Sequence, residues 1–131
     1  MENKICENLR GRLMRRIAGK EQDIATCTEK FSEDYEKFLE WYAEDLYKYK
    51  KELCYYNSIL TAIETDDLSF LKGALSSLLE DLGTDLLCGS LRRSSTNSFV
   101  NLAHVLDLEV KQKVLGFCKT MQNEIVRMEN K

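Results

Sequence analysis

Apolar side chains recur at helical spacing along nearly the whole chain. Ile5, Leu9, Leu13 and Ile17 step by four and place one apolar face on a helix over residues 2–18. Gly11 weakens that helix, and Gly19 is expected to end or bend it. Residues 20–64 contain no glycine, and here the pattern is sharpest. Leu39, Leu46, Leu53 and Leu60 recur every seven residues, and Tyr35, Tyr42, Tyr49, Tyr56 and Ile63 do the same, offset by three. That is a heptad stripe with Leu at a and Tyr at d, widened by Phe31, Phe38 and Ile59 at g. A stripe this wide suits a helix inside a bundle better than a two-stranded seam. It resembles a leucine zipper in spacing only, because a zipper carries Leu at d and β-branched residues at a.

Thr65-Asp66-Asp67 is a break whose side chains can cap a following helix. Leu68, Leu71, Leu75, Leu78, Leu79, Leu82 and Leu86 then mark a helix over 67–87, with Gly83 expected to end its regular part early. Residues 88–98 form the only loop-like run, an exposed and mobile connection, with Asn97 or Ser98 placed to cap the next helix. Phe99, Ala103, Leu106, Val110, Val114, Phe117, Met121, Ile125 and Met128 line one face of a last helix over 98–129. No strand-like alternation occurs. The pattern predicts an all-α protein, a bundle of about four helices in one domain over 1–131.

Helix lengths constrain the packing. At 1.5 Å per residue the segment 20–64 would span roughly 65 Å, against roughly 30 Å for 67–87 and about 45 Å for the last helix. Either the long helix breaks near residues 28–34, or part of its face is left for another chain.

The 131 residues, 44% hydrophobic and 31% charged with no proline, are enough to bury a core without disulfide or metal staples. The five cysteines, Cys6, Cys27, Cys54, Cys88 and Cys118, are scattered and odd in number, without the close pairs of a zinc site. They read as thiols in a reducing compartment, so an intracellular place, cytoplasm or nucleus, is expected. No signal-peptide pattern opens the sequence, and no stretch is apolar enough to span a membrane.

Aromatic residues are concentrated: nine of the twelve lie between Phe31 and Tyr56. Trp41, Tyr47 and Tyr55 fall off the heptad stripe, on faces that a lone helix would give to charge. Tryptophan and tyrosine are enriched at protein interfaces, so these three are candidate anchors for a partner.

Charge is segregated as well. Residues 1–20 carry net +4 and residues 21–47 net −7, within an overall charge of −3. The basic cluster is Arg10, Arg12, Arg15, Arg16 and Lys20. A basic amphipathic helix can lie on an anionic membrane or contact nucleic-acid phosphates. The plainer reading packs it on the bundle with its arginines facing the acidic stretch.

Candidate chemistry is sparse. His104 is the single histidine, and no nucleophile turn, phosphate loop, dinucleotide fingerprint or Glu-x-x-His pair is present. No catalytic residue, metal ligand, cofactor or small-molecule substrate is expected. Arg92-Arg93-Ser94-Ser95 resembles the acceptor pattern of basophilic kinases, with Ser95 as the acceptor. A phosphate there would place negative charge near the start of the last helix, where it is favoured. The expected function is a non-enzymatic interaction module, an adaptor or assembly subunit packing on another protein or a second copy. The alternative is a membrane or nucleic-acid binder working through the basic helix.

Overall fold

A computed structural model describes residues 2–90 and 95–131. It is all-helical, with five helices: α1 (Glu2–Glu33), α2 (Tyr35–Trp41), α3 (Ala43–Ile63), α4 (Leu68–Ser90) and α5 (Ser98–Glu129). The long helices run alternately up and down. Arg10 at the start of α1 meets Asp66 in the α3–α4 turn, while Tyr47 at the start of α3 meets Asp107 near the start of α5. One end, called lower here, holds the start of α1, the α3–α4 turn and the end of α5. The upper end holds the end of α1, all of α2 and the start of α5.

The expected 20–64 helix is divided, and the physical reason is local. Asp34 adopts an extended backbone (φ −153°, ψ 99°), and its carboxylate accepts from the Lys37 N–H at 3.1 Å, capping α2. A second interruption falls at Tyr42 (φ −121°, ψ −20°). Residues 20–33 belong to the first helix, which continues through Gly19, so that glycine does not end it. A Cβ at Gly19 would meet nothing within 4 Å, and no turn is required there. The length mismatch disappears: α1 and α5 have 32 residues each, and α3 and α4 have 21 and 23. Gly83 also sits inside a helix, since α4 continues to Ser90.

The break expected at 65–67 and the cap expected at Asn97 are in place, whereas α4 runs on through residues 88–90 of the expected 88–98 loop. Asp66 takes a left-handed conformation (φ 55°), Thr65 donates to the Ala62 carbonyl, and the Asp67 carboxylate accepts from the Phe70 N–H at 3.1 Å. The Asn97 side chain accepts from Phe99 and Val100 N–H groups at the head of α5.

The main core lies in the lower and middle bundle. Ile5, Leu9, Leu13 and Ile17 of α1 pack there with Tyr56, Ile59 and Ile63 of α3, Leu71, Leu75 and Leu82 of α4, and Val110, Val114, Met121 and Ile125 of α5. The heptad stripe therefore divides. Its C-terminal half is core, while Tyr35 and Leu39 at its head are more than half exposed.

A buried polar network crosses this core. Glu52 is 1% exposed, and Tyr56 Oη donates to its Oε1 at 2.6 Å. Lys20 Nζ stands 3.5 Å from Glu52 Oε2, and Arg16 Nε donates to Tyr56 Oη at 3.0 Å. Burial first, and then the Glu52 carboxylate, push the Tyr56 phenol well above its usual pKa. The phenol therefore stays protonated and serves as a fixed donor.

Candidate functional site: an aromatic corner and a basic groove

The upper end carries the most exposed aromatic surface of the α1–α2 region. Phe38 is buried and acts as the seat. Phe31, half exposed at the end of α1, meets Phe38 edge-on at 5.2 Å and Tyr35 edge-on at 5.5 Å. Tyr35 and Leu39 lie one turn apart on α2, and Trp41 closes that helix at 68% exposure. Glu29, Glu33, Asp34, Glu36, Glu40 and Glu44 surround these side chains in sequence and are acidic; Lys30 and Lys37 are the two basic residues of the segment. Lys30 is held by Glu33 at 3.3 Å.

The three sequence-derived anchors separate. Trp41 stands on α2 and faces solvent. Tyr47 and Tyr55 are partly buried on α3 against α5. Tyr47 Oη donates to Asp107 Oδ1 at 2.9 Å, and burial followed by that carboxylate holds its phenol above the usual pKa. Tyr55 borders a small cleft with Lys51, Asp107, Val110 and Lys111. Sequence reading missed Phe31, Tyr35 and Leu39 because the heptad assigned them to a buried seam. The available signal was Ser32-Glu33-Asp34, a capping run inside the supposed continuous helix.

Four of the five basic residues of the α1 cluster have partners among the described residues. Arg10 pairs with Asp66 at 3.2 Å and Arg12 with Glu124 at 3.4 Å. Arg16 lies over the Phe117 ring at 4.5 Å while bonding Tyr56. Lys20 reaches Glu52 and lies over Tyr49 at 4.7 Å. The acidic stretch 21–47 supplies one of these contacts, Asp23 to Lys20 at 3.7 Å; the rest come from α3, α5 and the α3–α4 turn. The apolar face of this helix is core. Arg12, Arg15 and Arg16 also line a groove of about 520 Å³ with Lys113, Gly116, Phe117 and Thr120 of α5. The α5 residues were missed because they lie about a hundred positions away in sequence, and only the antiparallel fold brings them to α1.

His104 Nε2 lies 3.1 Å from the Gly89 carbonyl oxygen, which ties α5 to α4. A Cβ at Gly89 would come within 2.6 Å of Leu108 Cδ2, so a glycine here permits that close approach. Ser95 is bound into the α5 cap: its Oγ accepts from the Asn97 N–H, and its backbone pairs twice with the Asn101 amide. Arg92, Arg93 and Ser94 lie outside the described residues. Among the described residues no group of three or more His, Cys, Asp or Glu side chains is placed to hold a metal ion. Among them, too, no helix is long and apolar enough to cross a membrane.

The chain matches no protein-family model, no curated protein and no solved structure.

Proposed function

We propose that the protein is a non-enzymatic helical interaction module that docks a partner protein through the aromatic corner of α1 and α2. The observation that carries this reading is half-exposed Phe31, which meets exposed Tyr35 and buried Phe38 edge-on, with Leu39 and Trp41 also exposed on α2. Clustered aromatic and aliphatic side chains with a polar rim are the usual anatomy of a binding hot spot. The acidic surroundings select the partner. A docking segment combining apolar residues with lysine or arginine is complementary, whereas two copies meeting corner to corner would bring two acidic rims together. The engagement of His104 with Gly89 and of Glu52 with Tyr56 and Lys20 supports structural rather than chemical work for the buried polar groups.

The test is a paired capture from nuclease-treated lysate at moderate salt, using the tagged wild type and a Phe31→Ser/Leu39→Ser/Trp41→Ser variant. Stoichiometric partners of the wild type should fall at least about tenfold on the variant, the loss expected for hot-spot residues, with helicity and melting temperature unchanged. An identical partner set on both proteins would remove the corner from consideration.

A further inference from the structure

A second surface, unrelated to the corner, has the composition of an anion site. Arg12, Arg15 and Arg16 are spaced i, i+3, i+4 and so share one face of α1. Lys113, Gly116, Phe117 and Thr120 share the facing side of α5, and the two faces border the open groove of about 520 Å³. Its charge is poorly compensated from within. Among the described residues the groove cations meet two carboxylates, Glu124 on Arg12 and Glu52 at 4.0 Å from Lys113. Each already serves another cation: Arg127 donates from Nε and Nη2 to Glu124, and Lys20 holds Glu52. Arg15 meets no carboxylate among the described residues. Arg16 is pinned by the Phe117 ring and the Tyr56 hydroxyl, which fixes a planar guanidinium in place before any ligand arrives.

We propose that the α1–α5 groove binds a compact ligand carrying clustered phosphates, either a soluble polyphosphorylated molecule or the headgroup of a phosphorylated lipid. Four like charges gathered in one concavity repel each other, and a multiply charged anion removes that repulsion. Guanidinium forks match phosphate oxygens pairwise, and a single carboxylate would leave most of the charge uncompensated. The volume suits a small molecule. A long nucleic acid is disfavoured, because the chain carries net charge −3 and the next cation along this face of α1, Lys20, is engaged by Asp23 and Glu52. Gly116 borders open space in the groove: a Cβ there would meet nothing within 4 Å.

The experiment is thermal unfolding and titration calorimetry of the full chain at low salt. The probes are sodium tripolyphosphate, vesicles with and without phosphatidylinositol bisphosphate, and a single-stranded RNA oligonucleotide. Tripolyphosphate about 100-fold above its Kd should raise the melting temperature by about 10 °C. Arg15→Gln/Lys113→Gln should weaken binding at least about tenfold through loss of charge-assisted hydrogen bonds. Gly116→Leu should weaken it by filling the groove at unchanged charge, which keeps the test independent of how the double variant folds. Binding of tripolyphosphate supports a soluble ligand, and binding only to the bisphosphate-containing vesicles supports a lipid headgroup. No response to either probe, a response that survives both variants, or RNA bound more tightly than both would overturn the proposal.

Discussion

At the scale of single residues, Glu52 is the most deeply buried charged group among the described residues. A carboxylate 1% exposed is tolerable because Tyr56 donates to one oxygen and Lys20 approaches the other. Tyr56→Phe keeps the ring in the core but removes that donor, so it should lower the unfolding free energy by about 1–3 kcal/mol. Glu52→Ala should cost about 3–5 kcal/mol, because it leaves a cavity and an uncompensated cation. Urea titrations of both variants check this order. A Glu52→Ala protein as stable as the wild type would mean that the network contributes nothing. Glu124 gives a pH signature. The hydrogen bond from Arg127, with the charge of Arg12 adding, outweighs burial and holds its carboxyl below the ordinary 4.5. A depressed folded-state pKa stabilises above the unfolded value, and that stabilisation is lost as pH falls through the depressed value. Glu124→Gln should therefore be less stable than wild type near neutrality, and the gap should close below pH 4.5, as followed by melting temperature against pH. A gap that persists at low pH would assign the effect to packing rather than charge.

At the scale of elements, the helical faces were legible, and so was the length argument for a break near residues 28–34, which falls at Asp34; the continuity of α1 through Gly19 was not. The apolar steps of Ile5 to Ile17 and of Leu106 to Ile125 mark real buried faces, because the 3.6 period is imposed by packing on one side. Gly19 misled the reading because a helix packed along its length carries a glycine at modest cost. Residues 20–33 then appeared to belong to the next helix, since no glycine interrupts residues 20–64. At Asp34 the carboxylate caps α2 through the Lys37 N–H, and Phe31 and Phe38 meet across the break. Gly19 is an exposed helical position where a methyl group meets open space, so Gly19→Ala should stabilise the protein by about 0.5–1 kcal/mol. A chevron or equilibrium melt that shows destabilisation instead would mean that α1 is interrupted there after all.

At the scale of the whole molecule, the core and the exposed aromatic surface occupy opposite regions. The lower and middle bundle buries the apolar faces of α1, α3, α4 and α5 together, while the upper end leaves Phe31, Tyr35, Leu39 and Trp41 uncovered in acidic surroundings. The aromatic concentration between residues 31 and 56 was visible in the sequence, and Trp41 was picked out from it. Its division into a core half and an exposed half was not visible, because both halves obey the same heptad. Tyr47 and Tyr55 looked external because they fall off the heptad stripe, and only the packing of α5 alongside α3 brings Asp107 and Lys111 to them. The most direct measurement is amide hydrogen exchange on the captured complex against the free chain. Docking through the corner predicts that the gain in protection is confined to the end of α1 and to α2, around residues 28–42. Protection gained at the lower end instead, with the corner unchanged, would contradict it.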